Sequence, residues 1–587
     1  MKQTFAEKIL GASKGSIVFR KPDIVLSHDN TASIFNTFLK MGGSQVYDPD
    51  RLMIVLDHNA PPTDSKLAND YQSIRDLVKS QGIKKFYGAG RGICHQLMAN
   101  HARPGMVILG SDSHTCTAGA FNALAAGIDR TETAGLWKRG ETWLRVPESM
   151  KITLTGKLGK GVYAKDLSLW IIGMIGSAGA NYMSIEFHGD GVRTLSISDR
   201  MTLANLASEM GAKNAVFPAD DVLEDYLGGK EDGIWADEGA EYISEIKIDL
   251  GHIIPLVAAP HSVDNVKSVH EVAGKKVHEG LIGTCTNGRL EDIRVASEIL
   301  RGKKIADDFQ LLVIPASRDI YLQAIKDGLI TDLVEAGANV LSSSCGPCLG
   351  TGQGIPADGH TVISTANRNF LGRMGNKKAE IYLASPATVA YSALNGVITE
   401  PAKGGEYPYK RQVEVVTEIA PGEKRRVNSV WNYADVDNLN TDQMFAGGLT
   451  YIIKSSDAAA ILPHLFKGFD ASFADEVRAG DIIITGENFG CGSSREHPSV
   501  GLAHAGIKAV IVKSVNRIFF RSSVNQGLVL IVHPDFVKAY KTGDRVDIDL
   551  EKGWILLNDK KFRFEPLPDK LLEIIKKKGL VNWIKEL

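Results

Sequence analysis

Leu281-Ile282-Gly283-Thr284-Cys285-Thr286-Asn287-Gly288, running straight into the helically spaced segment Leu290–Leu300, shows the grammar of the whole chain. A short apolar run gives way at once to small and polar residues, and a helix follows. The same grammar recurs where Leu52-Met53-Ile54-Val55-Leu56 meets Asp57-His58-Asn59, and where Met106-Val107-Ile108-Leu109 meets Gly110-Ser111-Asp112-Ser113-His114. Val340-Leu341 leads to Cys345, Val362-Ile363 to Asn367-Arg368, and Ile482-Ile483-Ile484 to Gly490-Cys491-Gly492-Ser493. Apolar runs of this length read as buried strands, and strands alternating with helices imply an α/β protein with largely parallel sheets. In open sheets of that kind ligands bind beyond the carboxyl ends of the strands, where these polar clusters lie. The clusters are therefore expected to converge on one cleft although they are far apart in sequence.

Three of the six cysteines are the candidates for metal chemistry. Cys345 and Cys348 flank Gly346-Pro347, and Cys285 sits in the loop quoted above. By spacing alone a Cys-x-x-Cys is a redox pair, half a zinc site or a coincidence. Taken with Cys285, the three thiolates suit a 4Fe–4S cluster, which usually takes four, so that one metal corner stays open. An open position separates a catalytic metal site from a closed structural one.

The remaining polar clusters each have a plain reading beside the chemical one. Gly490-Cys491-Gly492-Ser493-Ser494-Arg495-Glu496-His497 is either a strand–turn–helix with a serine cap or a carboxylate-binding turn. In the second case Ser493 could act as a base, provided backbone donors and Arg495 stabilise its alkoxide. Arg368 and Arg373 place two guanidiniums five residues apart, suited to carboxylates but also common at surfaces. Asp57-His58, His95, Asp112-Ser113-His114 and Glu209 offer imidazole–carboxylate pairs, which suit acid–base work on a leaving hydroxyl. Asn205 and Glu209 share a helical face by their spacing. Lys454 reads by default as a solvated lysine.

The 587 residues make several domains on a prior of ~100–200 residues each. The Pro-, Gly- and Lys-rich stretch 401–428 reads as a linker between a region 1–400 and a domain 429–587. Lys and Arg number 67 against 69 Asp and Glu, a balance with no electrostatic footprint for nucleic acid. Few cysteines, the lack of a secretory leader pattern and no apolar run of the ~18 residues that span a bilayer point to a cytoplasmic protein with no membrane partner.

Taken in order, Asp112-Ser113-His114-Thr115, Cys285-Thr286-Asn287, Cys345-Gly346-Pro347-Cys348, Asn367-Arg368-Asn369-Phe370 and Gly492-Ser493-Ser494-Arg495-Glu496-His497 resemble the aconitase superfamily of iron–sulfur hydro-lyases over nearly the whole chain. The resemblance implies three α/β/α subdomains around the cluster, with a C-terminal swivel domain closing over it. Because that domain lies in the same chain, it also implies that no separate small subunit is required. One 4Fe–4S cluster per chain is implied, held by Cys285, Cys345 and Cys348, with one iron not ligated by cysteine and Asn367 beside it. Ser493 resembles the base, and Arg368, Arg373 and Arg495 the carboxylate binders, with Ser113, Ser494 and Asn205 also on the substrate side. Asp57-His58 and Asp112-His114 resemble the pairs serving the hydroxyl, and His95 and Glu209 match further catalytic positions.

The reaction implied is dehydration and rehydration of a small hydroxy di- or tricarboxylic acid. Lys454 falls where the aconitases have an arginine for a substrate carboxylate, and Ala446-Gly447-Gly448 is closer to them. These lean to an aconitate hydratase acting on citrate and isocitrate through cis-aconitate. Ser33 in place of a glutamine, Asn30-Thr31-Ala32 and Cys491 lean to the alternative, a dehydratase of 3-isopropylmalate, homoaconitate or a methylated malate. A reading of another class, an RNA-binding regulator in the cluster-free form, is disfavoured by the near-neutral charge.

Overall fold

The apolar run Leu52–Val55 is buried along its whole length and is flanked on both sides by parallel neighbours. In the computed structural model, which describes residues 2–410, 418–420, 422–492 and 495–586, it is the second strand of a five-stranded sheet. That sheet comprises β1 (Ile24–Ser27), β2 (Leu52–Val55), β3 (Lys85–Tyr87), β4 (Val107–Gly110) and β5 (Leu124–Gly127) in the order β3-β2-β1-β4-β5, every pair parallel. The strand order reverses at β1. A crevice opens at such a switch point, beyond the carboxyl ends of β1 and its neighbours.

A second parallel sheet follows, with β6 (Ser149–Thr155), β7 (Ser184–His188), β8 (Asn214–Val216) and β9 (Ser244–Asp249) in the order β8-β7-β6-β9. The third contains β10 (Leu256–Ala258), β11 (Val266–Ser268), β12 (Glu279–Ile282), β13 (Gln310–Val313), β14 (Asn339–Val340), β15 (Thr361–Ser364) and β16 (Glu380–Ala384). Its order is β11-β10-β16-β15-β12-β13-β14, parallel from β16 to β14 with an antiparallel edge at β10 and β11. One apolar core joins the second and third sheets, where Phe187 stacks on Phe217 at 4.5 Å and Leu154 shares the interior with Leu281 and Leu312.

The C-terminal unit has its own sheet, β17 (Arg426–Val427), β18 (Val430–Tyr433), β19 (Ile482–Thr485), β20 (Ala509–Val512) and β21 (Leu530–Val532), parallel from β18 onward. The helices that bear on the site are, in chain order, α1 (Cys94–Met98), α2 (Arg130–Arg139), α3 (Ala164–Ile175), α4 (Ile197–Leu206), α5 (His497–His504) and α6 (Arg517–Gln526). The α/β class with largely parallel sheets is as the strand–turn–helix grammar requires.

The first sheet and the C-terminal unit share a core. Leu571, Ile574 and Ile584 from the last two helices pack with Trp137 and Leu136 of α2. Arg521 of α6 is fully buried, ion-paired to Glu132 of α2, with its guanidinium 3.7 Å from the Trp143 ring centroid. The stretch expected to be a tether, 401–428, departs from that expectation at both of its described ends. Tyr407 is buried and donates its hydroxyl to Trp170 O of α3 at 2.8 Å, and β17 already begins at Arg426. Burial of an aromatic ring outweighs the flexibility of the surrounding Gly and Pro residues. The middle of the stretch, 411–417, lies outside the described residues.

Candidate active site

Every strand of the first sheet delivers a polar group at its carboxyl end. His28 follows β1, Asp57-His58 follow β2, Cys94-His95 open α1 after β3, Asp112-Ser113-His114 follow β4, and Arg130 opens α2 after β5. His28, His58, Cys94, His95, Asp112, Ser113, His114 and Arg130 surround a cavity that Cys285, Cys345 and Cys348 of the third sheet and Arg495 of the C-terminal unit also line. Asp57 lies behind His58, its carboxylate 2.7 Å from the ring Nδ1 and accepting from Cys94 N at 2.6 Å. Asp112 sits among three imidazoles, at 2.7 Å from His95 Nε2, 3.5 Å from His58 Nε2 and 3.6 Å from His114 Nδ1. Glu209, just past α4, bonds to His114 Nε2 at 2.8 Å and accepts from Arg368 Nε at 2.9 Å.

Burial opposes each charge here, and the partners decide the outcome. Burial pushes Asp112 up, yet His95, His114 and His58 together hold it well below the usual carboxylate range. Glu209 is likewise penalised by burial and falls to about 2 through Arg368 and His114. Burial pulls His58 down, but Cys345, Asp57 and Asp112 raise it well above an ordinary imidazole. His28, stacked on His58 with centroids 3.7 Å apart, is driven well below by burial and then by His58. A proton-bearing ring and a neutral ring thus lie face to face at the cavity wall, a pairing suited to giving and taking a proton.

The thiols arrive on strained turns. Gly283 has φ 148°, and a Cβ there would lie 2.5 Å from Ile314 O, while Thr284 adopts φ 67°. That bend aims Cys285 into the cavity from the end of β12. Asn205 Nδ2 donates to Cys285 Sγ at 3.2 Å, Asn367 Nδ2 lies 3.5 Å from the same sulfur, and Arg373 Nη2 is 3.7 Å from Cys348 Sγ. Behind them the buried Lys165 of α3 donates to Thr365 O at 2.9 Å and Ala366 O at 2.6 Å, fixing the turn that carries Asn367 and Arg368.

Burial raises the Cys285 thiol well above its ordinary value and pushes Cys345 up to about 11, so a positive centre is needed to ionise them. Three soft thiol donors lining one cavity suit a soft metal centre such as an iron–sulfur cluster.

The structure separates the remaining sequence candidates. Arg368, Arg373, Arg495, Ser113 and Asn367 face the cavity. Arg368 Nη2 donates to Ser113 Oγ at 3.1 Å, and Arg495 pairs with Asp442 and donates to Phe445 O at 3.1 Å. Asn205 is fully buried behind Cys285, also bonded to Thr117 Oγ1 at 2.9 Å, and is not part of the cavity lining. Lys454 is exposed and is not part of the cavity lining. Its neighbours are tied inward, Ile453 O to His497 Nε2 at 3.0 Å and Ser455 Oγ to Ser33 Oγ at 3.0 Å, which leaves the lysine turned to solvent. Ser493 and Ser494 lie outside the described residues.

Sequence reasoning passed over His28, Asp29 and Arg130. Asp29 accepts from the backbone N–H of Asp57, His58 and Asn59 at 3.0, 3.2 and 2.7 Å and from Tyr71 Oη at 2.7 Å, locking the turn after β2. The signal was present, since His28-Asp29 follows a buried apolar run just as Asp57-His58 does.

Residues 2–396 match the aconitase family (aconitate hydratase), and residues 464–535 match the aconitase C-terminal domain. The 3-isopropylmalate dehydratase large subunit 1 of Methanopyrus kandleri is 45% identical over 414 residues, which are 68% of this chain and 99% of that protein. The probable methanogen homoaconitase large subunit of Methanosarcina mazei is 47% identical over 388 residues, 65% of this chain and 98% of its own. A solved 3-isopropylmalate dehydratase from Methanocaldococcus jannaschii is 38% identical and covers 26% of this chain and 88% of its own, with a TM-score of 0.24.

The relatives overturn one expectation. They are named as large subunits, each one part of an enzyme that has a further subunit, so the expectation that this chain needs no separate small subunit does not stand. The family match nevertheless spans well over half of the 587 residues, with relatives aligned over almost their full length. The chain belongs to the aconitase family and is a hydro-lyase.

Proposed function

We propose that the chain interconverts hydroxy acids by dehydration and rehydration, acting either on 3-isopropylmalate or on the hydroxy tricarboxylic acids related by loss and addition of water to homoaconitate, as the names of its relatives suggest. The observation that carries this reading is the convergence of three thiols, the stacked His28–His58 pair and a set of guanidiniums on one cavity. Two findings favour it over the citrate reading. The relatives bear dehydratase and homoaconitase names, and Lys454, on which a citrate carboxylate was expected to rest, is turned to solvent.

Cys285, Cys345 and Cys348 are the proposed ligands of a 4Fe–4S cluster, which when bound supplies a Lewis acid at its cysteine-free iron. The chain's own residues supply the rest. Arg368 and Arg495 bind the carboxylates of the malate core, and Arg373 stands by the Cys348 thiol. His58, kept protonated by Asp57 and Asp112, gives a proton to the departing hydroxyl, and His28 remains neutral to receive one. Ser493, two positions before Arg495 in the sequence, is the proposed base for the carbon-bound proton. Rehydration runs the same groups in reverse. The unit 429–587 is proposed as a swivel domain that brings Arg495 over the cavity.

Anaerobically reconstituted protein offered 3-isopropylmalate, cis-homoaconitate, cis-aconitate and methylated malates tests the reading. One of the first two acids should exceed cis-aconitate in kcat/KM by at least about tenfold, a gap of about 1.4 kcal/mol in transition-state binding. A preference for cis-aconitate would restore the aconitate hydratase reading, and no turnover of any of them would overturn the proposal.

A further inference from the structure

Lys165 of α3 is fully buried, and its Nζ donates to Thr365 O at 2.9 Å and to Ala366 O at 2.6 Å. Those carbonyls follow β15, and Thr365 is a junction between two turns of the cavity. Its carbonyl also accepts from Thr286 Oγ1 at 2.5 Å, one residue past Cys285. Its hydroxyl accepts from Gly283 N at 2.9 Å and donates to Gly283 O at 3.1 Å, two residues before the same cysteine. On the other side, Ala366 leads into Asn367 and Arg368. The Asn367 side chain lies 3.5 Å from Cys285 Sγ through Nδ2 and 3.7 Å from Cys348 Sγ through Oδ1. One ammonium thus ties the Cys285 turn to the Asn367–Arg368 turn.

Both acceptors of Lys165 are neutral carbonyls, and a buried ammonium is costly without a counter-charge. The carboxylate next to it in sequence is turned to other donors. Asp166 accepts from Tyr163 N and Leu256 N, each at 2.9 Å, and burial raises it to about 7. Glu209 is held by Arg368 and His114. Burial lowers Lys165 to about 7, and the groups that most oppose that fall are Cys285 and then Cys348. Cysteines that ligate a cluster do so as thiolates, so loading places negative charge on the side where this ammonium lies. We propose that Lys165 is a positioning residue of the cluster site, which holds the Cys285 and Asn367–Arg368 turns together through Thr365 and offsets the thiolates of Cys285 and Cys348 with its own charge. A buried cation beside a cluster favours the reduced, more negative state, because net charge is one of the levers on a cluster's potential.

This inference rests on the cluster assignment made above, and its test separates the two. Lys165→Gln removes the charge and keeps an amide that can donate. Lys165→Met removes charge and donors at similar length. Thr286→Val cuts the bond to Thr365 O from the other side and leaves the ammonium in place. Each full chain is reconstituted anaerobically beside wild type. Three quantities are read: the circular dichroism, the iron retained against a competing chelator, and the reduction potential by titration under electron paramagnetic resonance. Lys165→Gln and Lys165→Met should lower the equilibrium for cluster reduction by about tenfold, which is about 59 mV for one electron. Thr286→Val should weaken iron retention by roughly 10–100-fold, the usual cost of losing a partner behind a ligand, while its potential stays at the wild-type value. A Lys165→Gln cluster at the wild-type potential would overturn the charge role, and wild-type retention in Thr286→Val would overturn the positioning role. Loss of the circular dichroism in both Lys165 variants would make the residue a plain part of the core and overturn the proposal. A wild type that takes up no iron would overturn the cluster assignment and this role with it, whereas normal uptake with either contrary result would remove only the role of Lys165.

Discussion

Asp57 is fully buried and has two tasks, to hold the His58 ring and to accept the Cys94 N–H. Asp57→Asn keeps the size of the side chain and removes the charge that helps keep His58 protonated. Turnover should fall about 10²–10⁴-fold, the usual range for a disabled general acid, with iron content unchanged. Steady-state kinetics beside iron analysis checks both, and loss of iron would make the residue structural. Glu209 gives a pH-dependent prediction. Its folded value of about 2 lies below the ordinary 4.5, so its stabilisation is complete above about pH 4.5 and is lost as the pH falls towards 2. Glu209→Gln should therefore cost on the order of 3 kcal/mol in urea unfolding at pH 7 and progressively less towards pH 3. An equal cost at both pH values would contradict the linkage. The pairs Asp57-His58 and Asp112-His114 could be read from the sequence because each couples a carboxylate and an imidazole within three residues after an apolar run. Arg130 could not, since nothing local distinguishes it from a surface arginine at a helix start. Lys454 misled for the converse reason, because its exposure is decided by its neighbours' bonds to His497 and Ser33, far away in sequence.

At the scale of the element, the turn Gly283–Cys285 places a thiol by backbone conformation. Gly283→Ala would put a methyl carbon 2.5 Å from Ile314 O at a φ of 148°, a conformation close to glycine-only. Iron uptake on reconstitution should fall sharply while the far-ultraviolet circular dichroism stays near that of wild type. Unchanged uptake would show that the turn tolerates a side chain and does not aim Cys285. The strands were legible because their apolar runs are buried on both faces, as in β2, β19 and β20. Their order was not. Apolar pattern says that a strand is buried and not which neighbour buries it, so the reversal at β1 and the antiparallel edge at β10 and β11 emerge only in three dimensions. The two-residue β14 is too short to carry a pattern at all.

The whole molecule is held together by contacts that cross from the first sheet to the C-terminal unit. Arg521, Glu132 and the Trp143 ring form a fully buried cluster, and Glu132→Gln would leave a guanidinium buried without its counter-charge. Such a break costs about 3–5 kcal/mol, and the thermal midpoint should drop accordingly. A shift within the scatter of surface substitutions would mean that the two units are joined mainly by the apolar core around Trp137 and Ile584. That long-range architecture was not legible, since the pairing spans 389 positions. The central claim is that Cys285, Cys345 and Cys348 hold a cluster with one iron free of cysteine. The most direct test is iron and sulfide analysis with electron paramagnetic resonance on the anaerobically reconstituted full chain, beside the variants Cys345→Ser and Cys94→Ser. Wild type and Cys94→Ser should carry about four irons per chain and lose one on mild oxidation, and Cys345→Ser should carry none. One tightly held zinc with no iron uptake, or a full cluster surviving in Cys345→Ser, would contradict the account.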